Sequence, residues 1–181
     1  MRTLSVTCLS ILAVLLAGCG KDSKPEESRR AEKVLRAGAG DNKQSFNEFV
    51  KEEGLPGIKR LLKTDSSQDR MFAITCLGML KDNAEATELL LKSANGEDSE
   101  DAYWAIIALG SKGASEAKDL IEKFLKSDDP RRREGACEAI GQYADTSLYP
   151  LLAAAARDDD PRVRRAATRT LQTIREGKVV P

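Results

Sequence analysis

The segments DDPRRREGACEAIG (128–141) and DDDPRVRRAATRTLQTI (158–174) decide how this chain folds. Each opens on Asp before Pro. That pair starts a helix well, because Asp caps free N–H groups and Pro sits where its own N–H is not missed. Aligned on Gly141 and Gln172, the two segments are joined in one frame by RMFAITCLGML (70–80) on Gly78 and AYWAIIALGSK (102–112) on Gly110. Successive anchors are 32, 31 and 31 residues apart. Five positions before each anchor stands Ala73, Ala105, Ala136 or Ala167. One position before stands Leu77, Leu109, Ile140 or Leu171, and two before stands Cys76, Ala108, Ala139 or Thr170. Self-similarity at a period of roughly 20–50 residues marks a stacked array.

Each unit also carries an earlier apolar stretch: GIKRLLK (57–63), ATELLLKSA (86–94), AKDLIEKFLK (117–126) and LYPLLAAAA (148–156). An Asp-bearing turn separates the two stretches in every unit. The chain therefore reads as all-α, an α-solenoid of about four helix–turn–helix units. In the second helix, positions −6, −5, −2, −1 and +2 from the anchor share one face. Small residues there let helix axes approach, so enlarging Ala136 or Ala167 overpacks the core at a cost of roughly 1–3 kcal/mol. Trp104 and Phe72 share position −6 and are expected as core fillers.

These repeats resemble the short HEAT-like repeats first described in the phycobilisome lyases, with their Asp-Pro-x-Val-Arg-x-x-Ala-Ala core. The segment 158–174 matches best, although Gln172 stands where Gly is usual; the first two units lack Asp-Pro. The resemblance covers about 55–176. It implies a scaffold rather than lyase chemistry, since bilin lyases act on pigments in the cytoplasm and this chain reads as exported.

Toward the N-terminus, residues 1–18 (MRTLSVTCLSILAVLLAG) have one basic residue, an apolar core and small residues at the end, as a secretory signal does. The core is too short to span a bilayer as a helix, which needs about 20 residues. Leu16-Ala17-Gly18-Cys19 resembles the bacterial lipobox. That resemblance implies a lipoprotein lipidated at Cys19 and held in the cell envelope. Position 20 is Gly rather than Asp, which favours the outer membrane, facing the periplasm, in a Gram-negative host. Residues 19–41 read as the lipidated N-terminus and a flexible linker, too polar to offset their ordering entropy, with a transient helix at 26–37. Phe46, Phe49 and Val50 recur at helical spacing and place a capping helix at 42–53. The repeat domain is expected over 42–176, with 177–181 as a tail.

Composition narrows the function. The 29 Lys+Arg balance 29 Asp+Glu, which argues against nucleic acid as a partner. There is no His, so His-dependent hydrolysis, His zinc chemistry and His-ligated haem are excluded. Cys76 and Cys137 lie two units apart, near 20 Å at about 10 Å per stacked helix layer, beyond disulfide reach. They read as core residues, not metal ligands. Arg133 and Arg164 are expected to pair with acidic groups of the adjacent repeat.

The candidate binding residues are the columns at −7 and −3: Met71/Thr75, Tyr103/Ile107, Glu134/Glu138 and Arg165/Arg169. They are expected to line a concave groove that runs from apolar to acidic to basic. Such a surface suits a protein or peptide partner. No catalytic residue, metal or cofactor is implied. Two other readings stay open: lyase-like or chaperone-like handling of a small ligand, which needs a deep pocket around Tyr103 and Trp104, and a purely structural envelope spacer.

Overall fold

The structure, a computed structural model, describes residues 24–36 and 42–177. The expected signal segment 1–18, the lipidation position Cys19 and residues 178–181 of the expected tail lie outside the described residues. Among the described residues are nine α-helices and one short 3-10 turn. No described helix is long and apolar enough to cross a membrane.

The four aligned segments form the second helices of four repeats: α3 (Ser67–Met79), α5 (Ser99–Lys112), α7 (Pro130–Tyr143) and α9 (Pro161–Arg175). Their partners are the last two turns of α2 (Asn42–Leu61), then α4 (Ala84–Ala94), α6 (Ala117–Leu125) and α8 (Tyr149–Ala155). Each second helix starts at a side-chain cap. Ser66, Asp98, Asp129 and Asp160 accept from the N–H of Asp69, of Glu100 and Asp101, of Arg131 and of Arg162 respectively. The Asp-Pro turns of the sequence are therefore helix starts, as their chemistry requires.

The column of Ala at −5 is fully buried in all four repeats. So are Phe72, Leu77, Leu109 and Ile140. Trp104, expected as a core filler, packs against the core but is only half-buried. The fully buried column at −4, Ile74, Ile106 and Cys137, is a second apolar face that points at the next repeat.

The anchor glycines explain the spacing of the array. Each meets the small residue at −2 of the following repeat. A Cβ on Gly78 would lie 3.0 Å from the Ala108 Cβ. On Gly110 it would lie 3.0 Å from the Ala139 carbonyl oxygen, and on Gly141, 2.8 Å from the Thr170 Cγ2. Gln172 meets no further helix among the described residues and is exposed, so close approach does not require Gly there. Second helices thus pack directly on one another, while first helices hardly touch each other.

The N-terminal end is covered. Helix α2 pivots at Gly54, whose backbone (φ 57°, ψ −166°) suits glycine. Its first half is the expected capping helix, with Phe46 stacked on Phe72 at 4.7 Å and Phe49 edge-on to it at 4.8 Å. Within the expected linker, the helix expected at 26–37 is α1 (Glu26–Arg36), and it docks on α2. Docking uses small residues, with Ala31 and Ser28 buried, and ion pairs Arg30–Glu53 (2.9 Å) and Arg60–Glu27 (2.6 Å). A face made of Ser and Ala does not register as apolar sequence, although it packs closely.

Gly110→Ala should lower stability by about 1 kcal/mol, because overpacking against a backbone oxygen outweighs the better helix propensity of Ala. Gln172→Ala, at the same column with no neighbour, should stay within about 0.5 kcal/mol of wild type. Thermal unfolding followed by circular dichroism separates the two; equal losses would refute the close-approach role of the glycine.

Candidate binding surface

One stripe of each second helix, at −11, −8, −7, −4, −3 and 0, faces the following repeat. The expected binding columns at −7 and −3 belong to it. This corrects the expected open groove: Tyr103 is buried, Met71, Thr75, Ile107, Glu134 and Glu138 are half-buried, and only Arg165 and Arg169 are exposed. The physical reason is helical phase. Side chains at −7 and −3 edge the inner surface but turn into the next second helix.

Tyr103 is the centre of the junction between the second and third repeats. Its ring fills the space over Gly135, where a Cβ would lie 3.0 Å from a ring carbon. The Arg131 guanidinium sits 3.4 Å from the ring centroid. Trp104 meets the ring edge-on at 5.0 Å. The Tyr103 hydroxyl donates to Glu138 Oε2 at 2.7 Å. Burial first, and then the Glu138 carboxylate, push the phenol well above its ordinary range, so it stays protonated.

Glu138 also accepts from Arg169 of the fourth repeat. Arg131 donates to Glu100 at 2.7 Å and to Glu134 at 2.8 Å. Burial works against the Arg131 charge, but these hydrogen bonds outweigh it and hold the guanidinium above its ordinary value. Four of the expected residues, Tyr103, Glu134, Glu138 and Arg169, thus meet in one network completed by Arg131 and Glu100. Met71 and Thr75 lie at the other end of the array, where Thr75 donates to the Met71 carbonyl at 2.9 Å. Arg131 and Glu100 were missed from sequence. Their signal was position −10, one turn from −7 on the same edge.

A second construction recurs at −8. Arg70 Nη1 donates to the carbonyls of Thr64 and Asp65, both at 3.2 Å. Its Nε and Nη2 hold Asp101 (2.8 Å) and Asp98 (2.6 Å) of the next repeat. Arg133 does the same: Nη1 to Ser127 and Asp128 carbonyls at 2.8 and 3.1 Å, Nε and Nη2 to Asp158 at 2.8 and 2.9 Å. The expected pairing of Arg133 is therefore present. That of Arg164 is not. Its Nη1 donates to the Asp158 and Asp159 carbonyls at 2.7 and 2.8 Å, and no carboxylate among the described residues pairs with it.

Cys76 and Cys137 are buried, unpaired thiols. Burial pushes Cys76 far above the ordinary thiol value and Cys137 up to about 12. Neither is a nucleophile at neutral pH. Among the described residues no three Cys, Asp or Glu side chains gather as metal ligands.

The family model described as HEAT repeats matches residues 87–172, which span the last three repeats. No curated protein matches the chain. The fold is an all-α solenoid of HEAT-like repeats, and such repeats generally mediate protein interactions.

The Asp158 carboxyl is held below its ordinary value, first by the Arg133 hydrogen bond. Its folded pKa is lower than the unfolded ~3.9. Its contribution is therefore present above that value and is lost as pH falls through the folded one. Arg133→Ala should cost about 2–3 kcal/mol at neutral pH, since it removes charge-assisted bonds to a carboxylate and to two turn carbonyls. The gap from wild type should narrow below pH ~4. Urea unfolding at neutral and acid pH checks both; a gap unchanged by acid would remove Asp158 from the clamp.

Proposed function

We propose that this protein is a non-catalytic scaffold of the bacterial cell envelope, anchored by lipid on Cys19 and binding a protein or peptide on the inner face of its solenoid. The observation that carries this reading is the continuous layer of second helices, built from HEAT-like repeats, with half-exposed Trp104, Ile107, Met71 and Thr75 along its edge. Half-buried apolar side chains bordered by Glu100, Arg131 and Glu138 give a surface with a hydrophobic centre and a polar rim. The anchor is supported by Leu16-Ala17-Gly18-Cys19 at the end of an apolar segment. Two or three acyl chains hold a protein stably on a membrane, and confinement there raises the local concentration for a partner. Gly20, in place of Asp, favours the outer membrane, facing the periplasm, in a Gram-negative host.

The non-catalytic reading is supported by what the reactive groups do. Both thiols are buried and protonated, and the Tyr103 hydroxyl is committed to Glu138. The space around Tyr103 is filled by Gly135 and Arg131, which disfavours a small-ligand pocket there.

In a bacterial host, labelled palmitate should enter the wild-type chain and not Cys19→Ser, which should also leave the membrane fraction; equal labelling would sink the anchor. A photo-crosslinker at Ile107 should give an adduct of defined mass, and one at Glu88 on α4, on the outer layer, should not. Equal adducts from both layers would remove the inner face as the binding surface. Ile107 is the better probe position, since Tyr103→Ala empties a packed junction and should cost about 3–4 kcal/mol in stability.

A further inference from the structure

We infer that the C-terminal edge of the array, along α9, is a docking site for an acidic, helix-capping turn of a partner protein. The inference deepens the binding reading above by naming a surface and the chemistry of its ligand; it does not depend on the lipid anchor.

The protein itself shows what its −8 arginine binds. Arg70 and Arg133 use Nη1 to grip two carbonyls of their own turn and present Nε and Nη2 to a carboxylate in the next turn. Arg164 is held by the same two carbonyl contacts, at 2.7 and 2.8 Å. Its guanidinium is thus already oriented, and no carboxylate among the described residues meets its Nε–Nη2 edge. Two of the three acids in its own turn are committed elsewhere: Asp158 to Arg133 at 2.8 Å, Asp160 to Arg162 at 3.2 Å. A planar guanidinium fixed through one nitrogen pair offers its remaining edge to a bidentate carboxylate at little further entropic cost.

The stripe around it is basic and open. Pro161, Arg164, Arg165, Thr168, Arg169 and Gln172 are all exposed, and they border a groove of about 510 Å³. Arg165 has no partner among the described residues. In the three inner repeats the same stripe is covered by the next helix. Here Arg165 and Arg169 stand where the earlier repeats carry Met71 and Thr75, Tyr103 and Ile107, or Glu134 and Glu138, and exposed Thr168 replaces the buried Ile74, Ile106 and Cys137.

Two features favour an acidic peptide over a second copy of this chain. Gln172 occupies the anchor column, so a further second helix cannot approach as it does at Gly78, Gly110 and Gly141. The opposite end of the array is sealed by α1 and α2, with Phe46 and Phe49 on Phe72. The ligand that fits is a turn bearing one or two carboxylates, without a helix pressed close behind it.

The test is fluorescence anisotropy of the full chain with a labelled alanine-rich peptide that begins Asp-Asp-Pro, against one that begins Asn-Asn-Pro. The Asp peptide should bind at least about tenfold tighter, and binding should weaken in about 0.5 M salt. Arg165→Glu should lower affinity about tenfold with an unchanged helical spectrum, because nothing in the fold holds that side chain. Arg164→Gln should do so as well, but it also loosens its own turn, so Arg165→Glu decides. Equal binding of the Asn peptide, or indifference to Arg165→Glu, would overturn the proposal. Phosphatidylglycerol vesicles bound in place of the peptide, and released by Arg165→Glu, would replace it with an anionic lipid surface. A salt-sensitive dimer abolished by Arg165→Glu, seen in sedimentation equilibrium, would replace it with a second copy. Defined adducts at Ile107 with no Asp-peptide binding would leave the scaffold reading intact and remove only this site; peptide binding without those adducts would do the reverse.

Discussion

The array depends on how near one second helix can come to the next. At each inner junction a glycine at the anchor position faces Ala108, Ala139 or Thr170, and a single added carbon would collide with a neighbour. Close-packed interiors tolerate little added volume, so this column fixes the rise per repeat. Everything around it follows. The −5 alanines must be small because the same helix also packs on its own first helix. The −4 column must be apolar because close approach leaves no room for water. The first helices hardly touch one another, so the array is held together chiefly through the layer of second helices.

Electrostatics is subordinate to that spacing and makes use of it. Once the helices are set, the turns of successive repeats lie within reach of one arginine. Arg70 and Arg133 then bind a carbonyl pair behind and a carboxylate ahead. Equal numbers of acidic and basic residues, 29 of each, are therefore not a diffuse neutrality. Much of the charge in the repeats is spent at junctions, where partial burial strengthens each pair beyond a surface ion pair. The Tyr103–Glu138–Arg169 chain extends the same logic across three repeats, with the Glu138 carboxylate accepting from a neutral hydroxyl on one side and a guanidinium on the other.

The sequence made the repeat legible because the columns at −5, −2, −1 and 0 are constrained by contact with two neighbours at once. The helix starts were legible because Asp-Pro has a local physical meaning. The candidate site was less so. Position along a helix gives a side chain an angle, but the angle of the neighbouring repeat is not written locally. Residues at −7 and −3 were placed toward solvent when half of their surroundings is the next helix. Tyr103 shows the error most clearly. A tyrosine on an outward column reads as a contact residue, but it is a junction pillar whose hydroxyl finds Glu138 35 positions away. Docking of α1 was hidden for a different reason: its buried face is Ser28 and Ala31, and small residues carry no hydrophobic signal.

The departures from the repeat pattern are where the fold ends and function is free to begin. The first three repeats have Gly at the anchor and an apolar residue at −4, and the first and third, Arg70 and Arg133, have a carboxylate waiting for the −8 arginine; the second has Ala102 there. The fourth repeat keeps the arginine and its carbonyl grip, but has Gln172 and Thr168 in place of the other two. A cap selected only for solubility would have mixed charge, not Arg164, Arg165 and Arg169 along one stripe. Retaining a half-built clamp on a surface that forbids another close-packed helix is what a site for a carboxylate-bearing turn requires.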